Sequence, residues 1–235
     1  MKRLLIVLTA MAISCALLSE SAAAAVQPKT EKQKLSYAVG VLFARNIGIE
    51  AQLDKEAFLQ GVRDVLDKAK FKMTVPEMQQ VMQRYRDKEM KARKAQANEN
   101  AEEGKKFLAE NAKKKDVVTL PSGVEYKVLK TGTGPKPTLA DTVVANYEGR
   151  LLSGKIFDSS YKRGQPATIP LSRVIKGWQE VLPKMSVGSK WEVYIPAELA
   201  YGDREAGGVI GPDSTLIFQI ELLSIKPQQK DQGQD

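Results

Sequence analysis

The middle of the chain contains a long stretch that strongly favours helix yet has little to bury. It opens at residues 74–77 (TVPE), a capping box with proline in the first turn, which predicts a helix start. In its later part almost only Phe107 and Leu108 interrupt a run of Ala, Lys, Glu, Gln and Asn. Strong helix formers without an apolar face predict a solvent-exposed connecting helix over residues 74–115. The alternative is a partly disordered charged linker, which Gly104 favours.

Two shorter amphipathic helices are predicted before this stretch. One begins near Glu31 and the other after Asp54, which can serve as an N-cap. Their apolar residues recur at the spacing of one helix face: Leu35, Ala38, Val39, Leu42 and Phe43, then Phe58, Val62, Val65 and Leu66. Such short segments hold too little apolar area to close a core alone. We therefore expect residues 26–73 to form a helical dimerisation domain that pairs with a second copy of the chain.

The N-terminus has the pattern of a secretory signal. Lys2 and Arg3 precede an apolar run over residues 4–18, and small residues follow at 22–25. We expect residues 1–25 to be a signal peptide, which would place the protein in the periplasm, at the outer membrane or outside the cell. The alternative for Cys15, the single cysteine of the chain, is that it accepts a lipid.

The net charge and the absent residue types narrow the function. The chain carries 36 Lys and Arg against 28 Asp and Glu, a formal charge of +8, and the excess is spread among many acidic residues. This favours a solvated basic surface, and we expect no nucleic-acid partner. The sequence contains no histidine. Without histidine or further cysteine we expect neither a metal site nor a cofactor.

After Asp116 the composition changes to β-branched and aromatic residues broken by Gly and Pro, which predicts short strands and turns. Alternating apolar residues mark two strands: Val124, Tyr126 and Val128, and then Trp191, Val193 and Ile195. Two longer strands are predicted at 142–152 and 215–225, and one short helix at 174–182. One helix against an antiparallel sheet predicts an α+β domain over residues 116–227. We expect residues 228–235 to be a disordered tail.

The second half also carries a series of short motifs in a fixed order. They are VVANYEG at 143–149, FDSS at 157–160, VIKGW at 174–178, MSVG at 185–188, IP at 195–196, LAYG at 199–202, GP at 211–212 and TLIF at 215–218. Over residues 119–227 the chain resembles the FKBP family of peptidyl-prolyl cis-trans isomerases, and the helical arm and signal resemble its Mip and FkpA branch. The resemblance implies an FKBP-like antiparallel sheet wrapped on one short helix, and a dimeric isomerase that acts on proline-containing unfolded or partly folded proteins.

The resemblance also implies roles for individual residues. Trp178 would form the floor under the prolyl ring, with Tyr147, Phe157 and Phe218 as walls. Ile175 would donate its amide to a substrate carbonyl, and Tyr201 would direct its hydroxyl at a carbonyl beside the twisting bond. Asp158 would polarise the site, with Arg163 as its basic partner. Further substrate-binding residues are expected to be Val174, Ile210, Val209 and Ile169. Such an apolar site suits the chemistry, because bond rotation needs desolvation and no bond cleavage.

Two departures from the family pattern bear on specificity. Many relatives have a phenylalanine near residues 167–169, where this chain has only small or aliphatic side chains, so one wall would be lower. The resemblance implies macrolide inhibitors as ligands of the pocket, and the sequence leaves open whether that binding survives this change. In residues 203–212, Gly211 stands where proline is frequent, which predicts a looser lid.

The helical arm admits a function of a second class. Met73, Met78, Met82 and Met90 would suit a promiscuous apolar surface that holds client proteins, as in a chaperone or adhesion module. The core of the dimer is the favoured role for the same methionines.

Overall fold

The computed structural model describes residues 27–46 and 53–226. The predicted signal peptide, Cys15 and the predicted tail at 228–235 lie outside these residues. Among the helices that the model describes, none is both long enough and apolar enough to cross a membrane. The described residues divide into two compact units, one ending at Thr74 and the other beginning at Val75.

The first unit contains the two predicted short helices. Helix α1 spans Glu31–Asn46 and α2 spans Lys55–Leu66. The Asp54 carboxylate caps α2 by accepting a hydrogen bond of 2.8 Å from the Ala57 amide. Most of their apolar side chains remain exposed, with Leu42 at 59% and Leu66 at 75% of the accessible maximum, whereas Phe58 and Val62 are partly buried. Within one chain, therefore, the apolar stripes of α1 and α2 are mostly uncovered.

The predicted long helix is confirmed as α3, which spans Val75–Asn111. At 1.5 Å per residue its 37 residues extend about 55 Å. Most of its side chains are exposed, but its C-terminal part packs against the sheet that follows, which the sequence did not predict. Phe107 lies against Tyr194 with ring centroids 5.7 Å apart. Gly104 is buried at this contact. A Cβ at this position would collide with the Thr215 hydroxyl, so only glycine lets the helix come this close. This glycine therefore permits close approach of α3 and marks no linker.

A buried polar pair ties the end of α3 to the sheet. The Asn111 amide donates a hydrogen bond of 2.7 Å to the Glu125 carboxylate, and both residues are almost fully buried. The Lys114 ammonium donates in turn to Asn111 Oδ1 at 2.9 Å. Burial raises the pKa of Glu125, and the hydrogen bond from Asn111 only partly opposes this shift. A carboxylate in this setting costs stability at neutral pH.

The second unit continues as an antiparallel sheet with one short α-helix. The strands are β1 (Val118–Thr119), β2 (Glu125–Lys130), β3 (Thr142–Leu151), β4 (Ile156–Ser159), β5 (Ala167–Pro170), β6 (Lys190–Ile195) and β7 (Leu216–Lys226), and helix α4 is Lys176–Val181. Short 3-10 helices lie at Leu171–Arg173, Leu182–Lys184 and Ala197–Leu199. The strand order is β1-β2-β6-β7-β3-β4, and β5 pairs with β3. The predicted α+β architecture is confirmed.

The long strands β3 and β7 form the centre of the sheet and carry much of the core. They pair antiparallel along their whole length, with Tyr147 opposite Ile220 and Gly149 opposite Phe218. Their inward residues pack against α4, and the buried set includes Val143, Ala145, Trp178, Val181, Leu182, Val193, Ile195, Leu216, Phe218, Ile220 and Leu222. This arrangement brings Trp178 of α4 to the middle of the sheet.

The buried Glu125 generates a pH-dependent stability prediction. Its folded-state pKa lies above the ordinary 4.5, so its contribution to stability is largest below pH 4.5 and declines as the pH rises through the folded-state pKa. Glu125→Gln mimics the protonated acid and should raise the melting temperature at about pH 7, with the gain vanishing at about pH 3. Thermal unfolding at both pH values measures this. Glu102→Gln, the same change on the exposed side of α3, is the control and should change little.

Candidate active site

Four aromatic rings meet edge to face between α4 and the sheet. The ring of Trp178 lies 5.3 Å from that of Tyr147 and 5.2 Å from that of Phe218, centroid to centroid, at interplanar angles of 89° and 83°. Phe157 meets Phe218 at 5.5 Å and 83°. Edge-to-face contacts of this kind add stability beyond the burial of area. Because each ring braces the next, the cluster presents a preformed apolar surface.

This surface is the floor of a cleft of about 490 Å³. Strands β3, β4, β5 and β7, helix α4 and the segment after Ala197–Leu199 each supply part of it. The lining residues are Tyr147, Phe157, Asp158, Ile169, Arg173, Val174, Ile175, Trp178, Tyr201, Ala206, Gly207, Ile210 and Phe218. A cleft of this size, lined by apolar groups with a few polar ones, suits a small apolar ring or a short peptide segment.

A polar cluster stands at one edge of the cleft. The Tyr147 hydroxyl donates to Asp158 Oδ2, and the Arg163 guanidinium donates to Asp158 Oδ1. Arg163 Nη2 also donates to the Tyr147 oxygen at 2.9 Å, and its guanidinium carbon lies 5.3 Å from the centre of the Tyr147 ring. Burial and, secondly, the hydrogen bond to Asp158 raise the pKa of Tyr147 above its usual 10. The phenol therefore stays protonated at neutral pH, and its ring is held as a wall.

The setting of Asp158 differs from the expected one. Arg163 pairs with Asp158 as the resemblance implied, but the Asp158 side chain is 42% exposed and that of Arg163 is about half exposed, so the pocket does not enclose the pair. Solvent weakens such a pair. The carboxylate thus lies at the rim, where it orients Tyr147 and still borders the cleft.

Three hydrogen-bond donors in the cleft are unused within the part of the chain that the structure describes. Trp178 Nε1 is buried without a partner. The Tyr201 hydroxyl and the Ile175 amide, at the start of α4, likewise have none among these residues. The Gln179 side chain meanwhile donates to the Val174 carbonyl at 3.0 Å, which fixes the backbone before α4. A buried donor without a partner, such as Trp178 Nε1, is uncommon and needs an explanation such as a catalytic role.

The structure brings most of the expected site residues together. Tyr147, Phe157, Asp158, Ile169, Val174, Ile175, Trp178, Tyr201, Ile210 and Phe218 all line the cleft. Arg163 does not line it and reaches it through Asp158 and Tyr147. Val209 was expected in the site and lies outside the lining, because the turn that pairs Ala206 with Ile210 directs it elsewhere.

Three lining residues were missed by the sequence analysis. Arg173 directly precedes the motif at 174–178, and that adjacency was the available signal. Ala206 and Gly207 fall within the segment identified as a lid, but nothing in their residue type distinguishes them from their neighbours.

Comparison with known proteins matches both parts of the chain. Residues 134–223 match the family model "FKBP-type peptidyl-prolyl cis-trans isomerase", and residues 32–128 match "Domain amino terminal to FKBP-type peptidyl-prolyl isomerase". The peptidyl-prolyl cis-trans isomerase Mip of Coxiella burnetii is 45% identical, over 96% of this chain and 99% of the relative. The outer membrane protein MIP of Legionella longbeachae is 43% identical, over 84% and 87%. The crystal structure of FkpA from Escherichia coli aligns with a TM-score of 0.60 at 36% identity, covering 86% of this chain and 99% of that one.

The buried indole generates a prediction about the stability of the fold. Trp178→Ala removes the ring that Tyr147 and Phe218 pack against, so the free energy of unfolding should fall by about 3–5 kcal/mol. Urea unfolding measures this. Trp178→Phe is the matched control and should lose less, because it keeps a ring in the cluster. An unchanged free energy of unfolding in Trp178→Ala would show that the indole is not the centre of the packing.

Proposed function

The chain belongs to the FKBP-type peptidyl-prolyl cis-trans isomerases of the Mip and FkpA kind, and from this premise we propose that the aromatic cleft beneath α4 is its isomerase site. The observation that carries the proposal is the floor of four braced rings bordered by unused donors. The cleft can hold the five-membered ring of proline by apolar contact while the adjacent peptide bond turns.

The physics of the reaction agrees with such a site. Rotation about a peptide bond crosses a barrier of about 18–20 kcal/mol, because it breaks the resonance between nitrogen and carbonyl. The planar amide is the more polar state, so taking it out of water and into an apolar cleft favours the twisted form. No proton needs to be transferred and no bond is cleaved. A cleft without histidine, cysteine or metal is therefore sufficient for catalysis.

The individual residues take the following roles in this proposal. Trp178 supports the prolyl ring, and Tyr147, Phe157 and Phe218 enclose it. The Ile175 amide and the Tyr201 hydroxyl, both without partners among the described residues, donate to carbonyls of the substrate on either side of the ring. Asp158 holds the hydroxyl of Tyr147 and places a negative charge beside the twisting bond. Arg163 fixes that carboxylate.

The exposed apolar side chains of the first unit support a homodimer. Leu35, Leu42, Phe43, Val65 and Leu66 are each more than half exposed in the single chain. Apolar surface of this extent on short helices is normally covered by another chain. We propose that two copies pair through residues 30–90, which includes the methionine-rich start of α3.

A chaperone activity is the second function that we propose, alongside isomerisation. Met73, Met82 and Met90 are 42%, 44% and 62% exposed, and flexible thioether side chains adapt to many apolar partners. On this proposal the helical arms hold unfolded or partly folded proline-containing proteins while the clefts act on their X-Pro bonds.

We place these activities in the periplasm or at the outer membrane. The basic and apolar start of the chain is typical of a secretory signal. A relative at 43% identity bears the name outer membrane protein MIP. The mass of the protein isolated from its host tests this proposal, because cleavage near residue 25 and lipidation at Cys15 give different masses.

The polar groups of the cleft lead to a prediction about which variants lose the most isomerase activity. Asp158→Leu removes a charge and frees the Tyr147 hydroxyl, whereas Tyr201→Phe removes one hydroxyl and keeps the ring. We expect Tyr201→Phe to slow cis-to-trans conversion of a proline tetrapeptide by less than about tenfold, or 1.4 kcal/mol. We expect a larger loss for Asp158→Leu and for Asp158→Asn, because a charge acts more strongly than a neutral dipole. Circular dichroism controls for folding. The reverse order would exchange the two roles, and full activity in all three variants would show that the site is either purely apolar or elsewhere.

The exposed arm generates a prediction about assembly. A truncated chain of residues 91–235 keeps the part of α3 that packs on the sheet but loses α1, α2 and the methionine-rich start. Light scattering should show a dimer for the mature chain and a monomer for the truncated one. The truncated chain should still isomerise short proline peptides but should no longer prevent aggregation of an unfolded client protein. A monomeric mature chain would contradict the dimer, and retained anti-aggregation activity would contradict the chaperone proposal.

A further inference from the structure

Helix α3 contacts the segment that closes one side of the cleft. This segment, residues 203–212, is here called the flap. Ala206, Gly207 and Ile210 of the flap line the cleft directly. The flap lies more than a hundred residues after its contacts on α3, so local sequence does not reveal the connection.

Arg93 holds the beginning of the flap. Its guanidinium donates to the Asp203 carbonyl oxygen at 2.8 Å. The same side chain lies 3.7 Å from the Glu205 carboxylate, nitrogen to oxygen. Both side chains of that ion pair are about half exposed, so the ion pair by itself is weak. The hydrogen bond to the Asp203 carbonyl is therefore the contact that fixes the start of the flap.

Asn100 holds the end of the flap. Its side-chain amide donates to the Pro212 carbonyl oxygen at 2.6 Å and lies 3.3 Å from the Ser214 hydroxyl oxygen. A Cβ added at Gly211 would lie 3.2 Å from the Asn100 nitrogen, which is tighter than ordinary contact. Glycine at 211 thus leaves room for this hydrogen bond. The sequence analysis associated Gly211 with a looser lid, whereas the structure pairs it with an anchor on α3.

The flap has few restraints of its own. One bridge joins Ala206 to Ile210, and the Asp213 amide donates to the Gly202 carbonyl at 2.8 Å. Gly207 and Gly208, at its tip, both have positive φ, a region that few other residues adopt. Ile210 is also buried in the core and Ala206 packs against it, so these two side chains hold the inner side of the flap while α3 contacts its two ends.

We propose that Asn100 and Arg93 are positioning residues of the isomerase, which hold the flap so that Ile210 and Ala206 close the wall around the prolyl ring. Helix α3 is then part of the catalytic unit as well as its link to the helical arm. This inference rests on the proposed location of the isomerase site in the cleft.

Helix α3 has further contacts with the sheet besides those of Arg93 and Asn100. Gly104, Phe107 and Asn111, further along the helix, supply the close approach, the ring contact and the buried hydrogen bond described above. A positioning role and a purely structural role therefore predict different results. Misplacing the flap weakens substrate binding and raises KM, whereas partial unfolding lowers the active fraction and thus apparent kcat at unchanged KM.

The test uses the mature full-length protein, a proline tetrapeptide as substrate, and hydrogen exchange of backbone amides. In Asn100→Ala we expect kcat/KM to fall about fivefold, mainly through KM, as for the loss of one or two hydrogen bonds. Asn100→Asp keeps the shape but sets an acceptor against the Pro212 carbonyl, so it should be impaired at least as much. Arg93→Ala should show a smaller loss in the same direction. Flap amides should exchange several-fold faster while those of β3 and β7 stay unchanged.

Matched control variants distinguish the loss of flap contacts from general effects of mutating the helix. Asn98→Ala and Arg84→Ala make the same chemical changes at exposed positions of α3 and should leave both readouts unchanged. Phe107→Ala should lower the melting temperature without raising KM. An unchanged KM in Asn100→Ala, or a KM raised as much by Phe107→Ala, would overturn the inference. If instead the cleft is not the isomerase site, Asp158→Asn and Asn100→Ala would both keep full activity while the flap amides still exchange faster.

Discussion

The packing of Trp178 between the central strands and the cleft is the interaction on which the second unit depends. The indole is part of the hydrophobic core, since Phe218 and Tyr147 pack against it and its side chain is almost fully buried. The same indole also lines the cleft, where it forms the floor of the proposed site. In the proposed site, one short helix therefore supplies the floor of the cleft and also completes the core. The unpartnered indole nitrogen is the cost of this double use, because a purely structural tryptophan normally finds an acceptor.

The polar groups are arranged around this floor and not within it. Asp158, Arg163 and the Tyr147 hydroxyl satisfy one another at the rim, whereas the donors of Ile175 and Tyr201 have no partners among the described residues. The paired and the unpaired groups contribute differently to the cleft. Groups that bond each other keep the wall rigid, and groups without partners are free to bond a substrate. Rigidity and binding capacity thus come from different side chains of the same cleft.

The two ends of helix α3 have different surroundings. Its early part carries exposed methionines, and its later part belongs to the catalytic unit through Gly104, Phe107 and Asn111. The helix also touches the flap through Arg93 and Asn100. A continuous helix is stiff over this length, so the same element that extends from the sheet can also set the geometry of the site.

The sequence by itself determined the helices, the four longest strands and most of the cleft, but it did not predict the short strands β1, β4 and β5. Periodicity and capping placed α1, α2 and α3, and alternation placed β2 and β6. The resemblance to the FKBP family identified ten of the lining residues, and eight of these, Trp178 and Phe218 among them, lie within the ordered motifs. These features are local, so they leave a trace in residue order. Only the tertiary structure decided that Val209 lies outside the cleft, that Arg173 and Gly207 line it, and that Asp158 is partly exposed. It also decided that Asn100 reaches Pro212, 112 residues away. Contacts between such distant positions depend on how the elements pack, and packing imposes no period on the chain from which they could be predicted.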